Sequence, residues 1–310
     1  MTRKSPIVVL TRLAQPSLGT FRGRTAAANG VSRKQLGTLQ QHGFIERVLP
    51  DTYRLTATTP SSEQRLSAAL LWAGDDAVGD RRSAGMLFGL EAVRVERPQI
   101  IVSSARRRRS HDVDVRYYDN RRALMVRRMR GLPVTGVEAT LTGLAHELDS
   151  AALEIACEDA RRRRLTSVPA LHAYLDRFGV SGRPGVTALR RLLAELDPKH
   201  PSRSTLEVLT RRLLAANGII DFTRELPLTW NGRTYWFDFA FERQRTILET
   251  NGRRWHDDPA DYEDDNEKWS VPGRHGYFLV LATWDKITRR PREFLAELVA
   301  TLERQPVRPA

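Results

Sequence analysis

The stretch "YWFDFAFERQRTILETNGRRWH", residues 235–256, decides how the last third of this 310-residue chain is read. Asn231-Gly232 just before it is a strong hairpin-turn signal, so "TRELPLTW" (223–230) is expected to be one strand and "YWFDFAF" the next. Strict alternation puts Tyr235, Phe237, Phe239 and Phe241 on one face and Trp236, Asp238 and Ala240 on the other. "RTILETNG" reads as a third strand, with Ile247, Glu249 and Asn251 sharing a face. With "ERQR" as the loop, Phe241 pairs with Thr246 and Asp238 falls opposite Glu249. Carboxylates facing each other across a ladder repel, and burial raises the cost. A shared proton, an arginine such as Arg253 or Arg254, or a divalent cation would relieve them, and hard oxygen donors suit Mg2+ or Mn2+.

A helix is expected upstream over "SRSTLEVLTRRLLAANGI", with Leu206, Leu209, Leu213 and Leu214 inward, Gly218 at its end and a Ser204/Glu207 capping box at its start. Together with "YEDDNEKW" (262–269) and "GYFLVLATWDKI" (276–287), these strands resemble the PD-(D/E)XK nuclease fold, and more closely its very-short-patch-repair (Vsr-like) endonuclease group. The resemblance covers about residues 200–300 and implies a metal-dependent DNA endonuclease. It carries the family's first-helix acid onto Glu207 and its metal-binding acids onto Asp238 and Glu249. The histidine after the strand falls on His256, and the acid of the next helix on Asp265, with Asp264 as the register alternative. A capping residue remains the plain reading of Glu207, and a surface histidine beside Trp255 that of His256. The chain departs from the family in three ways. Asn251 replaces the usual lysine, Lys268 is the sole cation in "EDDNEKWS", and Pro272 stands where a helix ordinarily continues.

At the other end, "TAAANGVSRKQLGTLQQHGFIERVLPDTYRL" (25–55) reads as helix, Asn29-Gly30 turn, helix and a two-stranded wing. Ser32 and Gln35 form a capping-box pattern, Leu36 and Leu39 an apolar stripe, and Gly43 a stop. The second helix would present Arg33, Lys34, Gln35, Thr38 and Gln41 to double-stranded DNA. A small helical domain used only for protein contacts is the competing reading. The pattern "ANGVSRKQL…IERV…YRL" resembles the N-terminal domain of AbiEi-type antitoxins of type IV toxin–antitoxin systems. That resemblance implies a transcriptional autorepressor partnered by a nucleotidyltransferase toxin.

Between these ends, "GLPVTGVEATL" (131–141) reads as strand end, turn and helix start with Thr135 as N-cap. The region again resembles the segment after the winged helix in AbiEi-like proteins. Arg106, Arg107, Arg108 and Arg109 form one arginine quartet, a candidate phosphate contact. Arg161–Arg164 form another, equally readable as the solvated last turn of a helix. Residues 1–200 hold 33 Lys and Arg against 20 Asp and Glu, while 201–310 hold 17 and 17, so the net +13 lies wholly in the first part. Such an excess suggests a polyanionic partner, or merely an Arg-rich solubilising surface. The single cysteine, Cys157, excludes an internal disulfide and a cysteine zinc cluster, and its helical context reads as a small buried hydrophobe. No apolar run approaches the ~20 residues of a membrane span, and no signal-peptide core is present, which fits a cytoplasmic protein. The expected fold class is α+β: a winged helix-turn-helix to residue 60, a mixed α/β middle domain over 61–198, and a restriction-endonuclease-like α/β/α domain with a central mixed sheet over 202–310.

Overall fold

A computed structural model describes residues 5–103, 109–180, 182–196, 202, 204–251 and 259–304, the side chains of 259–265 excepted. The chain is α+β and forms two compact units, Met1–Pro201 and Ser202–Ala310. No described helix is long and apolar enough to cross a membrane.

The first unit begins with helix α1 (Pro6–Ala14), strand β1 (Thr20–Arg22), helices α2 (Gly23–Ala28) and α3 (Arg33–Gln41), and the hairpin β2 (Ile45–Leu49) and β3 (Thr52–Leu55). The strands make an antiparallel sheet in the order β1-β3-β2. Leu10, Phe21, Val31, Leu36, Ile45 and Leu55 fill the core beneath it. The expected capping box starts α3: Ser32 N–H donates to Gln35 Oε1 (2.8 Å) and Gln35 N–H to Ser32 Oγ (3.2 Å). Helix α4 (Ser62–Ala73) is tied to this sheet by Gln64 Nε2, which donates to Leu18 O (2.9 Å) and Thr58 Oγ1 (2.7 Å).

Beyond α4 come β4 (Val78–Gly79), α5 (Arg81–Phe88), β5 (Gln99–Val102), β6 (Asp114–Tyr117), β7 (Arg127–Met129), β8 (Leu132–Val134) and helices α6 (Val137–Leu144), α7 (Ser150–Arg162), α8 (Val168–Phe178) and α9 (Val186–Glu195). The strands form a mixed sheet in the order β6-β5-β4-β8-β7, whose apolar core runs through α4 to α9. The N-cap position of α6 is Gly136, not Thr135, whose buried hydroxyl instead meets Thr140 Oγ1 at 2.8 Å. Cys157 is fully buried, and desolvation pushes its thiol up to about 12. The second arginine quartet is largely consumed internally. Buried Arg161 holds Glu158 (3.0 Å), while Arg162 and Arg163 hold Asp159 at 3.0 and 3.1 Å.

In the second unit α10 (Thr205–Ala216) precedes β9 (Thr223–Trp230), β10 (Arg233–Phe241), β11 (Thr246–Asn251), α11 (Pro259–Arg274), β12 (Phe278–Thr283), α12 (Trp284–Thr288) and α13 (Pro291–Arg304). The sheet order is β12-β11-β10-β9, antiparallel except for the parallel pair β11/β12. Asn231 and Gly232 take φ of 49° and 76°, the left-handed pair a tight hairpin needs. The β10/β11 register follows the expected loop, with Phe241 on Thr246, Ala240 on Ile247 and Phe239 on Leu248. Helix α11 continues through Pro272 and ends two residues later at Arg274, so the proline does not stop the helix.

The face assignment of β10 differs from strict alternation. Tyr235, Phe237 and Ala240 pack with Val271 and Tyr277, on the α11 side of the sheet. Phe239 and Phe241 pack with Leu206 and Leu214 of α10 on the other side. The change of face falls at Asp238, whose counterpart in β9 is Glu225. That pair is missing from the ladder, and Glu225 has φ 52°. The register is the same on both sides of this gap, so no residue is inserted, and the aromatic quartet of β10 divides two and two across the one position where the ladder lapses.

Candidate functional site

Asp238 and Glu249 meet where β10 and β11 stop pairing through their backbones. The last pair of the ladder is Phe239 on Leu248, and beyond it the two acids act as its rungs. Asp238 N–H donates to Glu249 Oε2 (3.1 Å), and Thr250 N–H donates to Asp238 Oδ2 (2.8 Å), which also accepts from Thr250 Oγ1. Lys268 of α11 donates its ammonium to Glu249 Oε1 and lies 5.2 Å from the centre of the Phe237 ring. The two carboxylates are thus compensated by backbone amides, a threonine hydroxyl and Lys268. Arg253 and Arg254, the nearest sequence candidates for that role, lie outside the described residues.

Both acids are nearly buried, Asp238 at 8% and Glu249 at 6% exposure. Desolvation first, then the neighbouring Asp238 charge, raise the Glu249 carboxyl to about 7, against the opposing pull of Lys268. Because the folded value lies above the ordinary 4.5, the folded unit keeps a proton that the unfolded chain has lost between those two pH values. The resulting stabilisation is complete below pH 4.5 and is lost as pH rises through about 7. Its size is on the order of 3 kcal/mol. Urea unfolding of this unit between pH 5 and 8 will show the decline, and Glu249→Gln will flatten it. A wild-type profile no steeper than that of the variant contradicts the assignment.

Of the other expected site residues, Glu207 stands apart. It is 1% exposed; its N–H donates to Ser204 Oγ (3.1 Å), and its carboxylate pairs with Arg224 at 2.8 Å. Arg224 pairs in the ladder with Phe239, on the α10 side, whereas Glu249 and Lys268 lie on the α11 side. Asn251 ends β11, in parallel register with Thr283. His256 lies outside the described residues, as do the side chains of Asp264 and Asp265. Spacing marks Lys268 as the lone cation of "EDDNEKWS" but does not join it to Glu249, and it misses Thr250 and Arg224 altogether. Their signal is only spatial.

The acids fit a divalent cation in a sparse form. Among the described residues, no third His, Cys, Asp or Glu completes a cluster. Mg2+, however, is commonly held by one or two carboxylates with water and phosphate completing its shell. Asp238 Oδ1 receives no hydrogen bond from the described residues, and both side chains offer hard oxygens. Asp238 and Glu249 are therefore a suitable two-carboxylate base for Mg2+ or Mn2+, not a closed protein cage.

In the first unit, α3 exposes Arg33, Lys34, Thr38 and Gln41. Gln35 is half-buried, its carbonyl spent on the capping box, and Thr38 Oγ1 donates to Lys34 O (3.1 Å). Arg109 is exposed, while Arg106, Arg107 and Arg108 lie outside the described residues.

No family model and no curated protein matches this chain. Among solved structures, it is similar to the RV2827C protein from Mycobacterium tuberculosis, at TM-score 0.45 and 18% identity over 67% of this chain and 82% of that one. It is also similar to the catalytic domain of the homing endonuclease I-Bth0305I, at TM-score 0.25 and 16% identity over 31% of this chain and 95% of that domain.

Proposed function

We propose that the second unit carries a Mg2+- or Mn2+-dependent phosphodiesterase site that cuts DNA bound by the basic first unit. The observation that carries this reading is the convergence of Asp238, Glu249 and Lys268 at one break in the sheet. Two acids and an ammonium are the parts required by the PD-(D/E)XK and Vsr-like nucleases the sequence resembles. Here the cation comes from α11, and Asn251 occupies the strand position of the family's lysine. A divalent cation, when bound, supplies Lewis acidity and neutralises charge on the phosphate. Asp238 and Glu249 would hold it. Lys268 Nζ would stabilise negative charge gathering on the phosphate oxygens. The winged-helix reading of α2 to β3 supplies the DNA contact through Arg33, Lys34 and Gln41.

The expected result is nicking of supercoiled DNA by the full chain with Mg2+ or Mn2+, absent in Glu249→Ala, together with a cation-dependent rise in melting temperature. Equal inertness of wild type and variant, with no cation effect on melting, removes the enzyme reading. One observation favours a second reading: protein donors already serve both acids, so the fold holds without a metal. That suits a non-catalytic DNA-binding antitoxin and autorepressor, of the AbiEi type, partnering a nucleotidyltransferase toxin. DNA binding without any cleavage is its signature.

A further inference from the structure

Helix α3 carries a glycine at its midpoint that nothing in the fold explains. Gly37 is exposed and does not take a positive φ, and a Cβ built there meets no atom within 4 Å. Glycine inside a helix lowers stability relative to alanine, so it ordinarily marks a left-handed backbone or a close neighbour. Neither is present at Gly37 among the described residues.

The groups that surround Gly37 on the open face are chemically specific. Arg33 and Lys34 lie one turn before it, and Gln40 and Gln41 one turn after. All four are exposed, and their side chains make no hydrogen bond or ion pair among the described residues. The polar groups around them are already engaged: Thr38 Oγ1 on Lys34 O, and His42 Nδ1 with Thr38 O (2.8 Å). Two free guanidinium or ammonium groups suit phosphates, and two free carboxamides suit base edges. Charge complementarity thus selects a polyanion carrying readable edges.

We infer that Gly37 is the point of closest approach between α3 and duplex DNA, a gap in the helix surface that lets the backbone sit deep in the major groove between its cations and its glutamines. The inference rests on the DNA-binding reading of the first unit and adds to it the docking depth and the residue that sets it.

Cysteine chemistry tests it cleanly, because the native Cys157 is fully buried and will not compete for reagent. Gly37→Cys is labelled with a maleimide in the full chain, with and without a saturating random-sequence duplex of about 30 base pairs, long enough for a whole groove-bound site. Val180→Cys, at an exposed site in the α8–α9 connection, is the control. Duplex should slow labelling of Gly37→Cys by roughly tenfold or more, a simple occupancy effect at saturation, and leave the control unchanged. Loss of binding by Gly37→Cys with an unchanged melting temperature counts equally in favour. Binding with undiminished labelling overturns the inference alone; failure of the wild type to bind the duplex overturns the DNA-binding reading with it. Gly37→Ala adds a second readout: melting should rise by about 2–4 °C while affinity for the duplex falls. A rise in both contradicts the inference.

Discussion

Lys268→Ala is expected to reduce Mg2+-dependent DNA cleavage by about 10²–10³-fold, the loss typical of removing one charge-stabilising donor. The ammonium is the single described cation on Glu249, and it reaches that residue from a different element, α11. Its removal leaves a nearly buried carboxylate beside Asp238 with no counter-charge, so Glu249 takes up a proton more readily and holds a cation less well. The variant should therefore need more Mg2+ for half-maximal cleavage and show a pH optimum displaced upward. Installing Asn251→Lys in the Lys268→Ala background tests the positional argument, because it puts an ammonium on the strand two residues beyond Glu249. Partial recovery is the expected result. If Lys268→Ala cleaves as well as wild type, Lys268 merely anchors α11, and the charge role must be reassigned.

Arg224→Leu is expected to destabilise the second unit by about 3–5 kcal/mol, the usual cost of removing one member of a buried ion pair. Glu207 is 1% exposed, whereas its partner is only partly buried, so removing Arg224 takes a counter-charge from a carboxylate that cannot turn to water. The effect belongs to Glu207's burial and not to catalysis. Glu207→Leu combined with Arg224→Leu should accordingly recover most of the stability, because an apolar pair at such a site is often as stable as the ionic one. Guanidinium unfolding of the three variants decides it. A double variant as unstable as the single would show that Arg224 acts through Ser202, to which it also donates at 3.2 Å.

The sequence disclosed the features that depend on local spacing. Ser32 and Gln35 announced the start of α3, Asn231-Gly232 announced a hairpin, and a four-residue loop was enough to set Asp238 against Glu249. Face assignment failed because it assumes an unbroken ladder, and nothing in "TRELPLTW" signals a left-handed backbone at a glutamate. Partnerships between distant elements were equally hidden. Lys268 lies nineteen positions after Glu249 and Arg224 seventeen after Glu207, separations set by packing and not by periodicity. The second arginine quartet shows the converse: a charge run that looks like surface in one dimension is mostly spent on Glu158 and Asp159 in three.

The bonding of both acids to backbone amides makes the sheet a reporter on its own chemistry. The amide hydrogens of Asp238 and Thr250 are guarded by carboxylates and not by carbonyls. Whatever draws on those carboxylates, whether a proton, a cation or a substrate phosphate, also draws on the protection of these two protons against exchange with solvent. Residue-resolved hydrogen exchange at just these two amides would therefore sense occupancy of the site without any turnover. It would also distinguish a variant whose strands have parted from one that has lost only its charge.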